Sequence, residues 1–406
     1  MSKSEPALQG FLRSDGRKGI RNVIVVAYLV ECAHHVSRRI TSHFNDLDIH
    51  LIGFPGCYPN EYASQMMHAV CTHPNVGAVL LVSLGCESMD RDALREQVAA
   101  SGRPVELLVI QERGGTRATI DQGIALVDGM RQQLAQQQPV PMALSELIVG
   151  TICGGSDGTS GITANPAVGR CFDRLVEQDV ACVFEETGEL IGCENIMAER
   201  AVNAELGELI QQCVAKAEHY YRTMGFGSFA PGNADGGLTT LEEKSMGAYS
   251  KSGSSPITGL IKPGDIPPTG GLYLLDVVPD GEPRFGFPNI ADNAEIVEMI
   301  ACGCHLTLFT TGRGSVVGSA ISPVIKICAN PETYQRLADD MDINAGRILT
   351  GEASLDEVGD EIHRAVLAVA GGERSVSEAL GHQEFILTYK SFEPIGPNCL
   401  PVRHVS

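Results

Sequence analysis

The sequence predicts the α/β class: a parallel-sheet, Rossmann-like N-terminal domain over residues 1–140, then a second α/β domain over 141–406 with a long glycine-rich excursion. Two observations lead there. Short apolar runs alternate with longer amphipathic stretches, the βαβα rhythm of a sheet with helices on its faces. Several runs end in glycine beside cysteine, carboxylate or hydroxyl residues, and open α/β sheets gather their ligands at the carboxyl ends of their strands.

In chain order, Val23 to Ala27, His50 to Gly53, Ala78 to Leu84 and Glu106 to Ile110 read as strands. Helical patterns near residues 31–44, 61–73, 90–101 and 117–137 fill the gaps. The Gln- and Pro-rich stretch from Gln132 to Pro141 marks a surface connection and the domain boundary. Leu147 to Gly150 opens the second unit as a strand, followed by helices over 166–178 and 198–221 with a strand, Val180 to Phe184, between them. From Gly225 to Gly271 the chain is too long for an ordinary connection, which predicts an ordered excursion with a functional surface. Strands Leu272 to Val277, Leu306 to Thr310 and Val324 to Cys328, a helix over 332–340 and an acidic amphipathic segment over 353–369 complete the domain. No internal repeat or coiled-coil pattern is present.

A chain of 406 residues with 43% hydrophobic content can bury a substantial core. No apolar run reaches membrane length, and Met1 to Pro6 lacks a secretory hydrophobic segment, so a cytoplasmic location is the default expectation. Thirty basic against 50 acidic residues give a net charge of −20, which disfavours nucleic acid and anionic membranes as partners. Small molecules or proteins are expected instead, and an anionic substrate then needs local positive charge. Thirteen cysteines are too scattered for a disulfide scaffold, so most are expected to be reduced core thiols. No CxxC has a matching second pair, which gives little support to a zinc knuckle or a ferredoxin-type cluster. Cys302-Gly303-Cys304-His305 is the one tight cluster, and either binds a metal or leads into a strand.

The most chemically loaded stretch is Thr151 to Gly161, which joins Cys153, Ser156 and Asp157 to several hydroxyls on a glycine-rich backbone at a strand end. A plain turn has no need of that combination, so an active-site mouth is expected. Two segments offer positive charge: Phe11 to Asn22, with Arg13, Arg17, Lys18 and Arg21, and Thr310 to Ser315, with Thr311 and Arg313 in an anion-cradling loop. These arginines either hold a carboxylate substrate or pair with the chain's own acids. Glu242, Glu243 and Lys244 open a helix capped by Thr239 or Thr240, where a desolvated Lys244 can serve as a base or as an enolate-stabilising charge. Glu185 to Glu194 packs four carboxylates into ten positions, a density that calls for water or a shared cation. The chain lacks a G-x-S-x-G elbow, and no glycine fingerprint follows the first strand, which weighs against a standard hydrolase and against NAD.

These motifs together resemble the altronate and galactarate dehydratase family, which also includes the large subunit of sulfolactate sulfo-lyase. The matching stretches are Arg13 to Asn22, Leu84 to Glu87, Gly114 to Thr116, Cys153 to Pro166, Glu185 to Gly192, Gly232 to Gly247, Phe309 to Gly314 and Pro323 to Lys326, in family order over almost the whole chain. The resemblance implies a metal-dependent lyase that removes water, or in one branch sulfite, from a hydroxy acid to leave a 2-keto acid. A non-catalytic binding or scaffold subunit is the alternative from another class. It implies Fe2+, with Mn2+ or Zn2+ as substitutes. On this reading Cys86, Cys153 and Cys32 with Glu87 hold the metal, and Glu186, Lys244 and Asp157 serve the chemistry. Arg13, Arg17, Arg21, Ser156, Thr311 and Arg313 bind substrate, in a site shared between the domains.

Two departures stand out. Single-chain relatives often carry a small domain before the Arg-Ser-Asp-Gly-Arg-like segment, whereas ten residues precede Phe11 here. A separate small subunit is therefore one expectation, alongside a homo-oligomer. The histidine expected before the early glycine-cysteine pair is replaced in Gly53-Phe54-Pro55-Gly56-Cys57, which weakens Cys57 as a ligand.

Overall fold

A computed structural model describes residues 8–225, 227, 231–284 and 291–392. Met1 to Pro6 and part of the 225–271 excursion lie outside the described residues. The first segments are β1 (Leu8–Leu12), β2 (Lys18–Gly19) and β3 (Val23–Tyr28), then α1 (Glu31–Thr41), β4 (Ile49–Gly53), α2 (Glu61–Cys71), β5 (Val76–Ser83), α3 (Arg91–Ala100), β6 (Val105–Val109) and α4 (Thr116–Leu134). Strands β3 to β6 form an all-parallel sheet in the order β4-β3-β5-β6. Its central strand β5 is buried at all eight positions, as expected of a parallel strand covered on both faces.

Next come β7 (Val140–Met142), β8 (Ile148–Cys153), α5 (Ala164–Glu177), β9 (Ala181–Phe184), α6 (Glu194–Glu199), α7 (Ala204–Met224), α8 (Pro231–Asp235), α9 (Leu241–Ser250), β10 (Ile257–Ile261) and β11 (Gly271–Leu275). The chain ends with α10 (Asp292–Ala301), β12 (Leu306–Thr311), β13 (Val324–Cys328), α11 (Pro331–Arg336), β14 (Ile343–Asn344), α12 (Leu355–Ala370) and α13 (Val376–Leu380). Seven strands form the second parallel sheet, ordered β10-β11-β9-β8-β12-β13-β14. The glycine-rich stretch is not a bare loop: it folds into α8, α9 and β10. Residues 198–221, read as one helix, divide into α6 and α7. Helix α10 escaped the sequence reading because nearly every residue in it is buried, leaving no polar face to set a period.

The two sheets share one apolar cluster. Phe54, Met66 and Val70 from the first unit pack with Ile152, Met299 and Phe309 from the second. At the amino ends of the strands, Asn75 Nδ2 donates to His305 O at 3.0 Å and Ile321 O at 3.1 Å, while its Oδ1 accepts from Ile20 N at 3.0 Å. His305 has both ring nitrogens engaged: Nδ1 accepts from Ile148 N at 3.0 Å, which leaves Nε2 to donate to Lys18 O at 2.8 Å. Burial lowers its pKa to about 4, so it is neutral. Cys302 and Cys304 beside it are buried thiols whose pKa values burial raises. The Cys302-to-His305 cluster is therefore a strand lead-in, not a metal site.

Arg21 ties the amino-terminal arm to the end of the second unit. It pairs with Glu378 at 2.7 Å and donates to the carbonyls of Val369 and Glu373 at 2.9 and 2.7 Å, near the carboxyl end of α12. Removing one partner of such a buried pair leaves the other charge uncompensated. R21A is expected to lower unfolding free energy by about 3–5 kcal/mol, measured by urea denaturation. A loss below about 1 kcal/mol, the range of exposed pairs, would show that the pair is not structural.

Candidate functional site

In the second sheet the connections after β8 lead to β9 on one side, and those after β12 lead to β13 on the other. Such a switch point opens a crevice at the carboxyl ends. Strand β8 runs on past Gly150 and ends at Cys153, placing the thiol at that crevice. The loops leaving β8 and β12 clasp each other: Gly154 N donates to Thr310 O at 3.0 Å, and Gly312 N and Arg313 N donate to Gly155 O at 3.2 and 2.8 Å. The clasp requires glycine. A Cβ at Gly154 would collide with the Asp292 carboxylate, and one at Gly312 with that of Asp157.

Around Cys153 the charges are dense and buried. Its Sγ accepts from Lys244 Nζ at 3.2 Å and Ser156 Oγ at 3.3 Å, and lies 3.3 Å from Glu186 Oε1 and 3.5 Å from Glu189 Oε2. Lys244 is ion-paired with Glu189, and Lys251 with Glu186. Both lysines come from α9 and its C-cap, seven positions and so two helical turns apart. Thr240 caps that helix in a reciprocal box with Glu243. Burial alone would lower the Lys244 pKa, but Cys153 and Glu189 outweigh it and the net shift is upward, so Lys244 is an ammonium. Glu186 has a left-handed backbone, φ 78°, a costly conformation for a side chain without local rescue. Its Oε2 accepts Cys153 N at 3.2 Å.

A second group of acids lies alongside. Burial pushes Glu185 and Glu295 well above the ordinary carboxylate range; the Glu298 charge adds to both, and that of Glu185 to Glu295. Asp292 and Glu298 are raised for the same first reason. Glu298 pairs with Lys390 at 2.8 Å and accepts from Tyr62 Oη at 2.6 Å, which carries the network into the first unit.

The structure thus brings together Cys153, Ser156, Glu186 and Lys244 from the sequence-derived set. Asp157 is adjacent, but its oxygens accept from Thr159 N at 2.9 Å, Thr159 Oγ1 at 2.5 Å and Asn330 Nδ2 at 3.0 Å, so it shapes the loop. Thr311 is buried and accepts Gly314 N at 3.0 Å, while exposed Arg313 reaches across to the carbonyl of Gly232. Arg13, Arg17 and Arg21 lie elsewhere. Arg13 donates to Pro74 O at 2.7 Å and Arg17 to Thr72 O at 3.0 Å, both before β5. Their arm folds back over the amino ends of the strands, where Arg17 and Lys18 line a cavity of about 390 Å³ with Ile148 at its wall. Ile148 and Cys153 are opposite ends of one strand. Cys32, Cys86 and Glu87 belong to the first unit and are not among the side chains that touch Cys153.

Sequence reading missed the parts played by Glu189, Lys251, Asp292, Glu295 and Lys390. The signals were there in two cases: two lysines seven apart in one helix, and three acids at 292, 295 and 298 within an otherwise apolar run.

Cys153, Glu186 and Glu189 offer three donor atoms within 4.8 Å of one another, a spacing suited to a metal ion. The charge fits less well. Lys244 and Lys251 already pair with the two carboxylates, and a divalent cation would add like charge in a site this deeply buried.

Residues 144–392 match the D-galactarate/altronate dehydratase C-terminal domain, and residues 10–135 match the second domain of D-galactarate dehydratase/altronate hydrolase. Among characterised proteins the chain is 33% identical to the (2R)-sulfolactate sulfo-lyase subunit beta of Chromohalobacter salexigens, covering 93% of this chain and 96% of that one. It is 31% identical to the altronate dehydratase of Bacillus subtilis, over 92% of this chain and 75% of the relative. With the galactarate dehydratase (L-threo-forming) of Escherichia coli the identity is 32%, over 76% and 59%. With both domains matched in order over most of its length, the chain belongs to the D-galactarate/altronate dehydratase family of lyases.

Proposed function

We propose that this lyase dehydrates a sugar acid or related short hydroxy acid to a 2-keto acid, with the Cys153 crevice as its proton-handling centre. The observation that carries the reading is Lys244: a fully buried ammonium touching a thiol, a hydroxyl and a carboxylate at the switch point of the sheet. Dehydration takes a proton from the carbon beside a carboxylate and expels hydroxide from the next carbon. Negative charge grows on the carboxylate as the proton leaves, and a preorganised ammonium in a dry site stabilises it. Glu186 is the base on this reading, held toward Cys153 by its strained backbone; Arg313, on the outer loop, captures the substrate carboxylate. The metal implied by the resemblance supplies a Lewis acid for the departing hydroxide when bound. Release of sulfite from sulfolactate is the second reading, favoured by the relative of that name. That relative is itself a subunit, so a small partner chain completing the enzyme is part of this reading, as is an active site shared with the first unit.

Incubating the anaerobically purified protein, supplied with ferrous iron, with altronate, galactarate and sulfolactate separates the readings. Keto acid without sulfite supports dehydration, and sulfite release overturns it in favour of the second. K244Q is expected to lower kcat/KM by roughly 10²–10³-fold, with K244R retaining part of the activity; circular dichroism checks folding. Full turnover in K244Q would remove Lys244 from the chemistry. R313A is expected to raise KM with a modest loss of kcat, and an unchanged KM would place substrate capture elsewhere.

The raised acids set a pH dependence. Between about pH 4.3, the ordinary glutamate value, and their raised values, Glu185 and Glu295 keep protons in the folded chain that the unfolded chain has released. Stability therefore falls as pH rises through that window. E295Q, neutral throughout, is expected to flatten the fall, read from urea denaturation at pH 5 and pH 8. An unchanged slope would show that Glu295 holds no proton.

A further inference from the structure

The first sheet has its own switch point. In the order β4-β3-β5-β6, the connection after β3 leads to β4 on one side and the connection after β5 leads to β6 on the other. The crevice between the carboxyl ends of β3 and β5 is therefore the second place in the fold where a ligand is expected. Three cysteines stand around it. Cys32 is in the first turn of α1 after β3, Cys57 follows β4, and Cys86 follows β5. Among the twelve described cysteines these three are the exposed ones, and the other nine are buried. A cysteine is among the most often buried residues, so exposure confined to three strand ends in a row is a pattern rather than scatter.

The three loops are bound to one another through the backbone. Glu31 N donates to Pro55 O at 3.2 Å, and Ser88 donates to Cys57 O from both N and Oγ, at 2.9 and 3.0 Å. Gly85 turns the β5 loop with φ 126°. Glu87, next to Cys86, is 8% exposed; its Oε2 accepts Gly85 N at 2.8 Å, and its Oε1 is buried without a partner. An unpartnered buried carboxylate oxygen is costly and calls for a ligand that satisfies it.

We infer that Cys32, Cys57 and Cys86 hold an iron–sulfur cluster at the switch point of the first sheet, apart from the Cys153 centre. Thiolates select iron–sulfur clusters and soft metals. Among the described residues, the set of three donors within 4.8 Å of one another is the Cys153 trio, so Cys32, Cys57 and Cys86 are not gathered as the ligands of a single ion, and a cluster with several metal atoms takes thiolates from more widely spaced loops. A three-cysteine set also leaves a cluster iron without a protein thiolate, free to meet an oxygen ligand. Both cysteine crevices lie at the carboxyl ends of their sheets, and Tyr62, in the helix after Cys57, reaches the buried acids through Glu298. The inference rests on the first sheet alone and fails separately from the proposed function, because its test reads metal rather than turnover.

The test is anaerobic reconstitution of the full chain with ferrous iron and sulfide, followed by iron and labile-sulfide analysis and visible absorbance. The expected result is matched iron and sulfide with a broad visible band. C32S, C57S and C86S should each weaken cluster retention by at least roughly 10–100-fold, the scale of losing even an outer partner of a ligand, while C153S retains it. Thermal melts confirm that the variants fold. Iron without sulfide, no iron at all, loss of the cluster in C153S, or a full cluster in the C32S/C57S/C86S triple variant would each overturn the inference. A C153S protein that keeps its cluster but turns over normally would instead overturn the role given to Cys153.

Discussion

Compensation of charges buried away from solvent is the constraint on which the rest of this structure depends. Glu185, Glu186, Glu189, Glu295 and Glu298 are all buried near Lys244, Lys251 and Lys390. An isolated buried ion is far too costly to keep, so each acid is either paired or protonated. Glu186, Glu189 and Glu298 have lysine partners; Glu185 and Glu295 keep protons. The arrangement fixes α9 and α10 in register with the ends of β8 and β9, because moving either helix would strand a charge.

The same constraint explains how the described part of the excursion between α7 and β11 is held in place. It delivers both lysines of the Cys153 centre, and its Gly236 carbonyl accepts Gly158 N at 2.9 Å. A stretch with few apolar residues is held in place by what it neutralises rather than by what it buries. Packing then follows from sequence in the ordinary way, with α5 and α12 closing one face of the second sheet and α2 and α10 filling the space between the two sheets.

From Val23 to Leu134 the strand and helix order was legible because each element is periodic, and the boundaries moved by only a few residues; β1 and β2 escaped because they are short and lie in the arginine- and glycine-rich arm. The Cys153 loop, Glu186 and Lys244 were legible because their residue types have no structural excuse. Arg13, Arg17 and Arg21 misled for a physical reason: a cluster of arginines among glycines looks the same whether it binds a substrate or caps carbonyls. Only the direction of the strands tells which. The part played by Glu189 became visible only when the fold brought β9, α9 and β8 to one point. Cys57 was discounted on a neighbouring residue, although its exposure beside Cys32 and Cys86 is a property of the sheet order, which no local motif encodes.

Asn75 carries a consequence for motion. One buried side-chain amide spans both sheets, with every donor and acceptor engaged, and the apolar cluster between α2 and α10 runs from one unit into the other. Hinge closure needs a few residues that absorb a large rotation between loosely joined bodies. Here such a rotation would break a buried hydrogen-bonded junction and open a packed core. Access to the Cys153 crevice is therefore not coupled to rotation of one sheet against the other, and the segment at 232–236 meets its loops at Arg313 and Gly158.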